Sequence, residues 1–172
     1  LYNITNGPGW TNNSNWLTGP INSWWGIQVT NDRVTDVSLG QNNLSGTLPA
    51  SFWTLNSLRH FSFLSNQNLT GIIEAGIGNM INLNSFDLGG CKFTGSLPST
   101  IGNLRNLRLV YIYGNSFSGN LPAEFWNLGS LEEFAADGNG FTGSFPPEIQ
   151  NLDSLHYLSL AQCSLSGSIP PE

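Results

Sequence analysis

The chain has 172 residues, of which 39% are apolar, 12% aromatic and only 9% charged, against a usual charged fraction of about 25%. That is one domain's length with enough apolar material for a core, which excludes a disordered tail. One lysine, four arginines and a formal charge of −6 leave too few basic residues to neutralise phosphates, which excludes nucleic-acid binding, and no apolar run nears the roughly 18 residues of a membrane span.

In chain order, the first segment is residues 1–32, which carry Trp10, Trp16, Trp24 and Trp25, four of the six tryptophans. No signal sequence stands at Leu1, so any targeting segment is expected to be removed or to lie outside this stretch. Leu1-Tyr2-Asn3 reads as the end of a helix that begins upstream.

From residue 33 onward the chain repeats itself. The string Leu-x-Gly-x-(Leu/Ile)-Pro or a near variant returns six times, from Leu44–Pro49 to Leu165–Pro170; the second copy has Glu74 where the others have Pro. Upstream of each copy runs LxxLxLxxN, beginning at Val34, Leu58, Leu83, Leu107, Leu131 and Leu155, in steps of 24, 25, 24, 24 and 24 residues. The odd step arises from one extra residue in Ser65–Leu69. Within each strand the alternate apolar residues, such as Val110 and Ile112, point inward, and those between, such as Tyr111 and Tyr113, point outward. One repeat cannot bury its apolar side, but a stack can, so the strands are expected to pair in parallel into a curved sheet with an open concave face. The ninth position (Asn42, Asn66, Cys91, Asn115, Asn139, Cys163) lies where the chain leaves the sheet, and an amide there can satisfy buried backbone groups of neighbouring coils. The glycine of each copy admits backbone geometry closed to other residues. The proline is expected to end pairing and begin a convex return, such as Ala50–Leu55, in short helical turns.

These motifs resemble the plant-type leucine-rich repeat, LxxLxxLxLxxNxLxGxIPxxLxx, over about residues 33–172. The resemblance implies an α/β repeat solenoid: a right-handed superhelix with a concave parallel sheet and short 3-10 or helical turns on the convex side. Residues 1–32 then look like its N-terminal cap, which an end repeat needs to shield its apolar edge. Caps of plant receptors usually have cysteines beside the Trp-x-Gly-Val string. None stands here, so the cap is similar to the cysteine-free ones of bacterial, algal and protist members. The tryptophans are expected to pack the cap core, with a ligand platform as the other reading. The sixth repeat is expected to be truncated after its proline, with no C-terminal cap. It would leave Leu155, Leu158, Leu160, Leu165 and Ile169 as an apolar edge for further repeats, a partner or self-assembly.

Cys91 and Cys163 share one register position three repeats apart, roughly 14 Å at the usual strand spacing. That is beyond the reach of a disulfide, so both are expected to be buried free thiols. Asn3, Asn12, Asn43 and Asn68 head Asn-x-Ser/Thr glycan-acceptor sequences, which fits an extracellular or cell-surface location.

Three functions compete. Asp36, His60 and Ser62 on one face suggest a Ser-His-Asp set, but an open sheet has no oxyanion hole and excludes no water. His60 is therefore expected to form a surface ion pair with Asp36, and the chain is not read as an enzyme. Asp87 falls on a different repeat from Glu133 and Asp137, and the three fall on different rows, so no metal is expected, nor any cofactor. The hydroxyl column Ser45, Thr70, Thr94, Ser118, Thr142 and Ser166 is compatible with ice or surface binding. The preferred reading is a recognition or scaffold module for a protein, peptide or glycan. Its concave face is centred on Tyr111, Tyr113, Asp87 and Asp137, joined by Glu133, His60, Arg108 and Tyr157; aromatic residues ringed by polar ones are a usual binding composition.

Overall fold

The structure is a computed structural model and describes residues 1–171. Its strands in chain order are β1 (Ile27–Thr30), β2 (Arg33–Ser38), β3 (Ser45–Thr47), β4 (His60–Ser62), β5 (Asn68–Gly71), β6 (Ser85–Asp87) and β7 (Lys92–Gly95). They continue as β8 (Leu109–Tyr111), β9 (Ser116–Asn120), β10 (Glu133–Ala135), β11 (Gly140–Gly143), β12 (Tyr157–Ser159) and β13 (Ser164–Leu165). β1 and the even-numbered strands form one sheet in the order β1-β2-β4-β6-β8-β10-β12. Within it Asp36 lies beside His60, His60 beside Ser85, Ser85 beside Leu109, Leu109 beside Glu133 and Glu133 beside Tyr157, the register that the repeat spacing demands. Short 3-10 turns such as Ala50–Thr54 and Ser99–Asn103 line the opposite side.

Two features depart from the expectation. The Leu-x-Gly segments do not merely turn: they build a second parallel sheet, ordered β13-β11-β9-β7-β5-β3. Each strand is too short to stand alone, but stacking in register supplies partners for its backbone. All six repeat glycines, Gly46, Gly71, Gly95, Gly119, Gly143 and Gly167, have positive φ; at Gly46 a side chain would also meet the Ile4 carbonyl oxygen at 2.5 Å. The other departure is β1, which pairs antiparallel with β2 through Asn31 and Asp32, both at positive φ, as a two-residue hairpin turn requires. It covers the edge that β2 would otherwise expose.

The core lies between the two sheets and the convex turns. Phe93, Phe117 and Phe141 are fully buried and stack ring on ring, with centroids 6.2 and 6.1 Å apart. In the first 32 residues Trp10 and Trp16 are buried, edge to face at 4.8 Å, with Tyr2 stacked on Trp16. Trp24 is half-buried and packs on Trp16, with ring centroids 4.8 Å apart; the tryptophan expectation needs correction for one ring, Trp25, which is exposed. At the other end Leu158 and Ile169 are exposed, and Leu155, Leu160 and Leu165 are half-buried. Among the described residues, no helix is long and apolar enough to cross a membrane.

Candidate functional site

The ninth-position side chains form a ladder inside the coil. Asn66 accepts the backbone N–H groups of Asn42 (3.1 Å) and Leu44 (2.9 Å), and its amide donates to the Leu39 and Phe63 carbonyls at 2.8 and 2.7 Å. Asn115 and Asn139 repeat the arrangement, accepting from Phe93 and Phe117 and donating to the Leu88 and Ile112 carbonyls. Asn42 faces the N-terminal segment: its side-chain oxygen accepts from the Asn12 backbone N–H at 2.6 Å and its amide donates to the Asn12 carbonyl.

Cysteine can do only half of this. Cys91 donates to the Phe63 carbonyl at 3.2 Å and Cys163 to Ala136 at 3.4 Å, but neither thiol offers the amide's strong acceptor. The Leu69 N–H, whose counterparts reach the next repeat's asparagine, bonds instead to the Asn66 carbonyl at 2.9 Å. The extra residue of Ser65–Leu69 lets the chain bend back to make that bond. Cys163 stands at the same position after an ordinary 24-residue step, so cysteine in the ladder does not itself require the extra residue.

Both cysteines are free, but only Cys91 is buried; Cys163 is half-buried, correcting the expectation of two buried thiols, because among the described residues no further coil lies over it. Burial pushes the Cys91 thiol up to about 11, which withholds the reactive thiolate. Iodoacetamide is thus expected to label Cys163 in the native protein and Cys91 only after unfolding. Mass spectrometry that finds the two labelled at equal rates would overturn this.

On the concave face, Tyr111 is half-buried and its hydroxyl donates to Glu133 at 2.6 Å. That hydrogen bond, then desolvation and the carboxylate's charge, pushes the phenol up to about 12. His156 lies 3.7 Å from the other Glu133 oxygen. The Tyr113 ring lies over Gly89, where a side chain would meet it at 2.5 Å, and burial beside Asp87 raises its phenol. Asp87 accepts from the Gly89 N–H at 2.8 Å, yet burial holds its carboxyl above the ordinary range. Asp137 accepts from the Ser159 hydroxyl and, at 3.0 Å, the Ala161 N–H. Tyr157 is exposed. Arg108 is exposed and forms a two-pronged bond with Glu132, 2.7 and 2.8 Å, which raises the guanidinium and lowers the carboxyl.

His60 does not pair with Asp36. Its Nδ1 lies 2.7 Å from the Ser85 hydroxyl, and no ion pair joins the two among the described residues. Asp36 and Ser85 flank His60 in register, and the imidazole reaches the serine. The supposed Ser-His-Asp set is thereby dispersed: the hydroxyl that meets the ring is not Ser62. His156 and Glu132 are additions to the site. The signal was present in the sequence, because both flank the outward row next to Arg108 and Glu133.

Of the glycan-acceptor asparagines, Asn3 and Asn68 are exposed. Asn43 is exposed but its amide donates to the Gly9 carbonyl at 2.8 Å. Asn12 is half-buried and accepts from the Ser14 N–H. In the hydroxyl column Thr70, Thr94 and Ser166 donate to the preceding repeat's glycine carbonyl, and Thr142 to Asn120.

The family model described as Leucine Rich Repeat matches residues 82–104, 106–128, 130–152 and 154–172, half of the chain. The chain belongs to the leucine-rich repeat family. Residues of this family member are 40% identical over a 62-residue stretch to the receptor kinase-like protein Xa21 of Oryza sativa subsp. japonica, a stretch covering 34% of the chain but only 6% of that relative. The ectodomain of the receptor kinase SOBIR1 from Arabidopsis thaliana superposes with a TM-score of 0.73 at 29% identity, over 80% of this chain and 74% of that one. The ectodomain of the Arabidopsis receptor kinase HAESA, in complex with an N-terminally extended IDA peptide hormone, superposes with a TM-score of 0.79 at 28% identity, over 93% of this chain and 28% of that one.

Proposed function

We propose that this leucine-rich repeat protein is an extracellular or cell-surface recognition module that binds a protein or peptide through its concave sheet. The supporting observation is the arrangement at β8 and β10. Tyr111 is fixed by Glu133, with His156 alongside, while Tyr113 and Tyr157 remain exposed. A pre-ordered aromatic and acidic surface loses little side-chain entropy on binding. HAESA holds a peptide hormone, and the likeness to it favours a peptide over a glycan. The repeats fit the plant LxGxIP type, with residues 1–32 acting as a cysteine-free cap and residues 33–172 as six repeats. Thr70, Thr94 and Ser166 each direct the hydroxyl hydrogen to the preceding repeat's glycine carbonyl, and the column carries no aromatic anchor, which favours the concave face over an ice- or surface-binding column.

The test is the double change Tyr111→Ala with Tyr113→Ala. Affinity for a partner captured from the extracellular fraction of the source is expected to fall by more than about 1 kcal/mol. The coil remains folded, because neither ring enters the core between the sheets. Unchanged binding by a folded double variant, measured calorimetrically, would remove the concave site.

A further inference from the structure

The convex turns obey a packing rule, and one pair breaks it. In each pair of successive turns the fourth residue of one meets the second residue of the next, and one of the two is glycine. Gly76 meets Trp53, where a side chain on Gly76 would come within 2.9 Å of the Trp53 Cβ; Gly78 likewise meets Thr100 at 2.7 Å and Gly102 meets Glu124 at 2.6 Å. In the turns Ala123–Asn127 and Pro147–Asn151 the corresponding residues are Trp126 and Glu148, and neither is glycine. Those turns pack less closely than the others, and a cavity of about 530 Å³ opens there, between the fourth and fifth repeats.

Its chemistry is one-sided. Trp126 and Phe145 form an apolar wall, edge to face at 6.1 Å. Glu124 and Glu148, equivalent residues of successive repeats, are the two acidic residues of the lining, together with the polar Asn120 and Thr142. No basic residue lines the cavity, and Arg105 is engaged by the Asn127 carbonyl at 2.7 Å. Trp10, Trp16 and Trp24 each donate their indole N–H to a backbone carbonyl, whereas Trp53, the counterpart of Trp126 in the first convex turn, has its N–H buried without a partner among the described residues and away from the cavity. Trp126 is only 4% exposed, lines the cavity, and has no acceptor for its N–H among the described residues.

We infer that this lateral cavity is a second binding site, independent of the concave face, for a segment of a partner polypeptide that carries an arginine or lysine beside an apolar residue. The cation lies between the two carboxylates, the apolar side chain meets Phe145, and a peptide carbonyl accepts the Trp126 N–H. The volume suits such a ligand, and two acidic residues with no basic one on the lining favour a cation.

The test uses the whole 172-residue chain labelled with nitrogen-15, with the Trp126 indole resonance assigned through Trp126→Phe. Acetyl-Leu-Arg-Leu-amide is expected to shift that resonance. Its citrulline counterpart, isosteric but neutral, is expected to bind about tenfold or more weakly, as is the arginine peptide to the double variant Glu124→Gln with Glu148→Gln. Both glutamates are exposed, so that variant keeps the fold, which an unchanged spectrum elsewhere checks. The Tyr111→Ala with Tyr113→Ala protein should bind the peptide normally, so failure of the concave reading leaves this site intact. An unmoved Trp126 resonance at millimolar peptide, equal binding of the citrulline peptide, or a shift produced by a neutral oligosaccharide instead would overturn the proposal.

Discussion

Asn66→Ala is expected to destabilise the fold by about 4 kcal/mol, one of the two largest single-residue effects in the chain. The side chain is fully buried and serves two backbone donors, at Asn42 and Leu44, and two acceptors, at Leu39 and Phe63. Each buried group left without a partner costs about 1–3 kcal/mol, and water cannot enter a packed coil to replace them all. The damage also travels: Asn66 holds Asn42, whose side chain holds both the N–H and the carbonyl of Asn12, so the N-terminal segment loosens with it. Asn66→Asp keeps the acceptor but loses both donations and buries a charge, so it should be no better tolerated. Cys91→Ala, by contrast, removes one weak donor and is expected to cost about 1 kcal/mol. Urea unfolding with an unchanged slope would measure all three. A loss below about 1.5 kcal/mol for Asn66→Ala would show that the ladder is decoration on a coil held by packing alone.

The contrast between Asn66 and Cys91 shows how far the sequence could be read. A repeat of constant length dictates strand register, which is why the row Asp36, His60, Ser85, Leu109, Glu133, Tyr157 assembles as its spacing demands. The ladder positions were legible for the same reason. The single 25-residue step was visible as well, but its consequence was not: the Leu69 N–H turns back to the Asn66 carbonyl of its own repeat. The second sheet was hidden because Ser45–Thr47 and its counterparts, rich in glycine and close to proline, look like turns when taken one at a time. Only their stacking turns them into strands. At the candidate site the sequence reading paired His60 with Asp36 on charge, whereas side-chain reach joins it to Ser85, its other neighbour in register. The lateral cavity depends on which residue of one turn touches which residue of the next, and that contact is set by the pitch of the convex side rather than by any periodicity in the apolar pattern.

Phe117→Ala should rival Asn66→Ala, at about 3–5 kcal/mol, through packing instead of hydrogen bonds. The ring is fully buried and stacked on both faces, nearly parallel to Phe93 and Phe141 at 16° and 9°. Truncation therefore opens a void between two neighbours that are themselves pinned in β7 and β11, and the coil cannot collapse to fill it. Because each repeat contacts only its neighbours, the loss falls on two interfaces at once. The change is expected to lower the unfolding midpoint and to split the transition, as repeats on either side of the void unfold separately. The same position also supplies a control. Leu44, Leu69 and Leu165 occupy it in three other repeats, so the coil geometry accepts leucine, and Phe117→Leu should cost no more than about 1.5 kcal/mol and keep one transition. If Phe117→Leu proved as damaging as Phe117→Ala, the stabilisation would reside in the ring stacking itself and not in filled volume. The phenylalanine column would then have to be treated as an aromatic spine rather than as the ordinary apolar position of the repeat.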